Sequence, residues 1–182
     1  MTERNTAPEG TRNILRDIEA ADLDWLLALN NASVPHVNHM ERDGLAHILD
    51  LASYARAVFQ DDKPVGALIA LWPGTDYVSS YYRWFNEHHA GFLYIDRVMI
   101  DATTRKGGHG RRLYEDIERF ARTHGAEALA CEVNSEPPNP ISMRFHEALG
   151  FRAVGELAND DRSKCVVTMM KAIEPLSSAE AI

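Results

Sequence analysis

The chain has 182 residues, is 45% hydrophobic and 25% charged, and carries a formal charge of −8. That length suits one well-packed domain and is short for two. A surface of that sign repels nucleic acid and anionic membrane, so neither is expected as a partner.

Residues 1–11 are polar, contain Pro8 and Gly10, and read as a flexible arm. From 12 to 174 no linker or repeat divides the chain, which predicts a single domain, and 175–182 read as a flexible tail. Within the domain, Asn13 to Ile18 suits an edge strand. Leu23, Leu26, Leu27 and Asn30 follow helical spacing behind Asp22 as a cap, and a second helix is expected over Asp43 to Ser53. Tyr54 to Gln60 and Val65 to Trp72 read as a hairpin around Asp61-Asp62-Lys63-Pro64. An aromatic-rich segment holding Tyr77, Tyr81, Tyr82, Trp84 and Phe85 follows without an assigned element. Phe92 to Ile100 is a strand, and Gly108 to His124 an amphipathic helix closed by Gly125. Ala128 to Val133 is a strand. Asn139 and Pro140 then start a helix as cap and first-turn residue. Two last strands, Phe151 to Leu157 and Lys164 to Met170, flank an Asn159-Asp160-Asp161 turn.

The first residues lack the basic-then-apolar pattern of a signal peptide, and no apolar run approaches a membrane span. Cys131 and Cys165 sit in apolar runs. The expectation is a cytoplasmic protein with both thiols reduced.

Arg105-Lys106-Gly107-Gly108-His109-Gly110-Arg111 lies between a strand and a helix, so successive N–H groups can converge on one anion while the basic side chains neutralise it. A plain surface turn is the competing interpretation. No Gly-Lys-Ser/Thr follows, which excludes a Walker A loop, and the dinucleotide fingerprint does not fit.

The pattern Arg-x-x-Gly-x-Gly, on Arg105, Gly108 and Gly110, resembles the GNAT superfamily of acetyl-CoA-dependent N-acetyltransferases. A second stretch about thirty residues on, with Asn139, Ser142, Phe145, Gly150 and Phe151 at matching positions, resembles the same superfamily. The likeness implies an α/β fold with a mixed, mostly antiparallel sheet of six to seven strands, splayed in the middle and flanked by about four helices. It implies an acyltransferase with acetyl-CoA as donor, moving acetyl or a similarly small acyl group to an amine by direct attack in a ternary complex. The implied cofactor contacts are the backbone of Val98, Met99 and Ile100 for the pantetheine arm, the N–H groups of Lys106 to Arg111 (Lys106, Gly107, Gly108, His109, Gly110 and Arg111) with Arg105 for the pyrophosphate, and Asn139 with Ser142 for the pantetheine amide region.

The chemistry needs a base for the ammonium and a donor for the departing thiolate. Where the superfamily commonly has a tyrosine donor, this chain has His146, with Tyr94 and Tyr114 as substitutes. That departure keeps a catalytically silent acyl-CoA-binding module as the alternative function, and a nucleotide-binding protein as a weaker third. Asp96 and Glu132 are the candidate bases. Their ordinary interpretations are an ion pair for Asp96, with a partner other than Arg97, which strand alternation points to the opposite face, and an exposed edge position for Glu132. Asn30 and Asn31, or Tyr81 and Trp84 of the aromatic segment, are candidates to read the acceptor. Helix capping is the more ordinary interpretation of the asparagines, and packing on the domain or contact with a second copy that of the aromatic segment. Net acidity suits a cationic acceptor, and a small amine or amino-acid-like molecule is the expected substrate. His36, His39, His88 and His89 lack a third ligand in register, so no metal is expected.

Overall fold

The computed structural model describes residues 12–159 and 164–174. The arm, the tail and the Asp160-Asp161 half of the expected last turn lie outside them. Seven strands form one sheet: β1 (Asn13–Asp17), β2 (Tyr54–Gln60), β3 (Lys63–Leu71), β4 (Phe92–Ile100), β5 (Ala128–Glu136), β6 (Arg152–Ala158) and β7 (Cys165–Ala172). Their order is β1-β2-β3-β4-β5-β7-β6. Only β4 and β5 are parallel neighbours; every other pair is antiparallel. The helices are α1 (Leu23–Ala32), α2 (Arg42–Leu51), α3 (Ser80–His88), α4 (His109–Thr123) and α5 (Pro140–Ala148). The mixed, mostly antiparallel sheet is the expected one, with five α-helices against about four.

Strand alternation distributes these helices. Leu68 and Ala70 of β3, with Leu93 and Ile95 of β4, join Leu113, Tyr114 and Ile117 of α4 in the main core, where α5 adds Met143 and Phe145. The intervening Ala67 and Ile69 meet Leu26, Leu45 and Ile48 of α1 and α2, and Leu71 and Tyr94 meet Tyr82 and Phe85 of α3. One face therefore carries α1 to α3 and the other α4 and α5. Helix α3 is the added element. Ser79 caps it by accepting the Tyr82 N–H, and Tyr82 and Phe85 form its buried stripe.

Local chemistry sets the boundaries. Asp61 and Asp62 both take positive φ, 48° and 64°, as a two-residue hairpin turn demands. Gly125, at φ 79°, ends α4, and Asn139 caps α5 through the Ser142 N–H. Asp22 does not cap α1. Its carboxylate takes the Glu19 N–H, Trp25 Nε1 and the Arg16 guanidinium, a network that outcompetes a single cap contact.

Two irregularities shape the centre of the sheet. Pairing of β4 with β5 runs only from Phe92↔Ala128 to Tyr94↔Ala130, after which the strands part. On the other side of β4 the register slips between Ile69 and Ala70, which pair with Arg97 and Ile95 and leave Asp96 as the extra residue of a bulge. No helix among the described residues is long and apolar enough to cross a membrane.

Candidate active site

The parting of β4 and β5 opens a cavity of about 650 Å³, within the usual size of small-molecule sites. Backbone of β4 from Val98 to Ile100 forms one wall. Cys131 to Asn134 of β5 form the other, with the α4 and α5 N-termini at one end and the α1–α2 connection and α3 at the opposite end. Because pairing with β5 stops at Tyr94, the β5-facing amides and carbonyls of β4 beyond it have no ladder partner and can pair with an extended ligand.

The glycine loop is built to curl. Lys106 and Gly108 both adopt positive φ, 73° and 77°, and Gly108 is the N-cap of α4 without any side-chain cap. First-turn N–H groups have no acceptor within a helix, so those of His109, Gly110 and Arg111 face the cavity end. The N–H of Gly107 is spent on the Thr104 carbonyl, which removes it from the expected set of donors. A Cβ on Gly110 would come within 3.2 Å of Phe145, so a side chain there would wedge α4 against α5. His109 is buried, and its Nδ1 has no hydrogen-bond partner, a polar atom placed at the cradle. Together with the exposed Arg105, Lys106 and Arg111, this end fits a pyrophosphate-bearing ligand. Asn139 and Ser142 also line the cavity. Asn139 Oδ1 is already engaged as the α5 cap.

On the α4–α5 face the cavity reaches Tyr114 and His146, both buried. Tyr114 Oη lies 2.6 Å from His146 Nε2, and His146 Nδ1 lies 2.8 Å from the Ser142 carbonyl oxygen and 3.2 Å from Ser142 Oγ. A carbonyl only accepts, so the closer contact assigns the resting proton to Nδ1 and makes Nε2 the acceptor of the Tyr114 hydroxyl. Burial lowers the His146 pKa, partly opposed by the Ser142 carbonyl, and pushes that of Tyr114 well up. Both groups rest neutral at neutral pH. His146, expected at the donor position, and Tyr114, named as its substitute, thus form one hydrogen-bonded phenol–imidazole pair.

On the opposite face stand Glu132 and Asp96. Glu132 is half-buried, not an exposed edge residue, since β7 and β6 lie beyond it. Burial pushes its pKa up to about 8, against the lowering effect of a 2.8 Å hydrogen bond from Tyr94 Oη to Oε2. Asp96 is fully engaged. Tyr77 Oη donates to Oδ1 at 2.5 Å and Arg97 Nε to Oδ2 at 2.6 Å, and the ionic side chains are each only 5% exposed. Alternation predicts Arg97 on the opposite face; the bulge turns it onto the face of Asp96, where its Nη1 reaches Asn30 Oδ1 at 2.6 Å.

That contact also accounts for the asparagines. Asn30 is completely buried, with its Nδ2 on the Asn31 side chain and the Asn38 carbonyl, while Asn31 bonds the Met40 backbone in both directions. Neither lines the cavity; they tie α1 to the following loop. Trp84 is also away from it, stacked on His88 and packed over Gly155. Tyr81, one turn earlier, does line it. Sequence reasoning left out Arg97 and Tyr77, which fix Asp96, and Lys164, which lines the same end. Only the run of aromatics before Phe92 hinted at Tyr77.

A family model described as the acetyltransferase (GNAT) family matches residues 19–151. The protein belongs to that family, and is an acyltransferase. Among solved structures, the ribosomal-protein-S18-alanine N-acetyltransferase of Escherichia coli aligns with a TM-score of 0.71 at 16% identity, over 92% of this chain and 97% of that one. YncA of Salmonella typhimurium, a putative acetyltransferase with its cofactor acetyl-CoA, gives 0.67 at 16%, over 94% and 99%. Naa50 of Arabidopsis thaliana, in complex with the bisubstrate analogue CoA-Ac-MVNAL, gives 0.67 at 16%, over 88% and 98%. At such identities the likeness is one of fold. No curated protein matches the chain.

Proposed function

We propose that this protein transfers an acetyl group from acetyl-CoA to the primary amine of a small acceptor, by direct attack within a ternary complex. The observation that carries this reading is a pair of proton-handling groups on opposite sides of one opening, Glu132 with Tyr94 on one face of the sheet and Tyr114 with His146 on the other. Acetyl-CoA supplies the activated thioester. The first-turn N–H groups of α4, with Arg105, Lys106 and Arg111, hold its pyrophosphate. The unpaired backbone of Val98 to Ile100 orients the pantetheine arm.

Glu132 then removes a proton from the acceptor's ammonium, at Oε1, the oxygen that Tyr94 does not hold. A carboxylate with a pKa near 8 is a better match to that task than an ordinary one, being closer to the amine's own value. Asp96, committed to Tyr77 and Arg97, positions rather than accepts. Tyr114 delivers its hydroxyl proton to the leaving sulfur as the C–S bond breaks, and the phenolate left behind is reprotonated from solvent through the slot once CoA departs. In the His146 tautomer that carries its proton on Nε2, Nδ1 accepts from Ser142 Oγ and Nε2 donates to Tyr114 Oη, which leaves the phenol hydrogen free to point at the slot. Ser142 thus offers both an acceptor and a donor to the same ring nitrogen.

Initial rates of CoA release measured against both substrates test the reading. Amine-dependent release with intersecting double-reciprocal lines is expected. Parallel lines, or stoichiometric CoA release before any amine is added, would instead indicate an acylated protein and overturn direct attack.

A further inference from the structure

Lys164 stands at the acceptor end of the cavity, at the entry to β7, and its position is fixed from two sides. Its backbone closes the β6–β7 connection, with its N–H on Asn159 Oδ1 at 2.9 Å and its carbonyl accepting the Asn159 N–H at 3.0 Å. Its Nζ reaches across to Asn38 Oδ1 at 3.1 Å and lies 5.8 Å from the centre of the Tyr81 ring. The side chain therefore ties the β6–β7 hairpin to the α1–α2 connection over the cavity mouth. Among the described residues it has no carboxylate within ion-pair distance, and one neutral contact leaves two of its three ammonium hydrogens uncommitted.

The other charges around it sharpen the point. Asp96 is neutralised by Arg97 at 2.6 Å. Glu132, the remaining carboxylate of that end, shares its charge with the Tyr94 hydroxyl and is held largely protonated by burial at neutral pH, with Lys164 acting the other way. His36, from the α1–α2 connection, also lines the cavity. The acidic surface of the chain suggests a cationic acceptor, but at this end, among the described residues, Lys164 is a cation that no ion pair engages.

We propose that Lys164 binds a carboxylate on the acceptor, so that the amine acetylated belongs to a small zwitterion, an amino acid or a close relative. This rests on the acetyl-transfer reading of the same cavity. The amine is received at Glu132 and the carboxylate at Lys164, which both line this cavity. A polyamine would place its second cation against Lys164, and a peptide N-terminus would offer it only a neutral carbonyl.

The test compares matched acceptors on the intact protein with acetyl-CoA: a panel of amino acids, the corresponding amino-acid amides, the decarboxylated amines, spermidine and short peptides. The expected result is a preference for acid over amide on the order of ten- to a hundredfold in kcat/KM, carried by KM. Lys164→Met should abolish that preference by raising KM for the acid alone; any loss of kcat from the missing cation beside Glu132 should fall equally on acid and amide, the acetyl-CoA Kd should hold, and Lys164→Arg should recover part of the preference. Equal or better use of amides, polyamines or peptides by the wild type overturns the inference while acetyl transfer stands. So does a preference that survives in Lys164→Met. Failure of every amine class removes the transfer reading, and this inference with it.

Discussion

Tyr114 gives its phenolic hydrogen to His146 Nε2 across 2.6 Å, inside a core where neither ring reaches bulk water. Tyr114→Phe should lower kcat by about 10²-fold, the usual scale for losing a positioned proton donor, with little change in acetyl-CoA affinity. It also leaves Nε2 unsatisfied, at a cost of about 1–3 kcal/mol in stability. Ser142→Ala removes the hydroxyl that accommodates the second tautomer and keeps the carbonyl, so kcat should fall with the melting temperature nearly unchanged. Stopped-flow and steady-state kinetics beside thermal melts separate the two.

Glu132 connects activity to pH. With its pKa near 8, kcat/KM should climb through that value as the carboxylate ionises. Glu132→Gln should flatten the limb and cost about 10²-fold or more in rate. The sign for stability is opposite. The folded value lies above the ordinary 4.5, so the fold holds the proton more tightly than the unfolded chain does. The contribution of Glu132 to stability is therefore fully present below about pH 4.5, declines through the window up to about 8, and is lost above it. Urea midpoints across that window should show the decline in the wild type and lose it in Glu132→Gln.

Arg97 is a prediction about the fold as much as the site. Arg97→Met leaves Asp96 buried with Tyr77 alone and strips Asn30 Oδ1 of its donor, which should cost about 3–5 kcal/mol. The double variant Asp96→Asn, Arg97→Met should recover much of that loss, because it removes both charges. Equal destabilisation in denaturant titrations of the single and double variants would show that the pair is not coupled.

Gly108 and Gly125 form a natural control. They share nearly the same backbone, φ 77° and 79°, and a Cβ would meet nothing within 4 Å at either. Alanine at each should cost about 1 kcal/mol through strain alone. Only Gly108→Ala, at the α4 N-cap, should also weaken CoA binding in calorimetry.

Legibility in the sequence divides along physical lines. Arg105, Gly108 and Gly110, and Asn139 with Pro140, announce themselves because a left-handed turn or a helix cap admits few residue types, so the constraint is written locally. Helix α3 was equally readable, since Ser79 precedes Tyr82 and Phe85 at helical spacing; the density of aromatics masked the period. The bulge at Asp96 was not. It contains neither glycine nor proline, and only the register against β3 reveals the extra residue, which is why the alternation rule misplaced Arg97. Asn30 needs a partner 67 positions away, and such pairing has no local trace. The same holds for Lys164, whose partner Asn38 is 126 positions distant.

The short β4–β5 ladder has a consequence beyond catalysis. Two adjacent strands stop bonding after three residue pairs, so the middle of the sheet is a seam that a bound pantetheine arm would stitch. Ligand at a hundred times its Kd adds about 2.7 kcal/mol to the folded state. The protein's resistance to proteolysis should therefore rise with the concentration of acyl donor present.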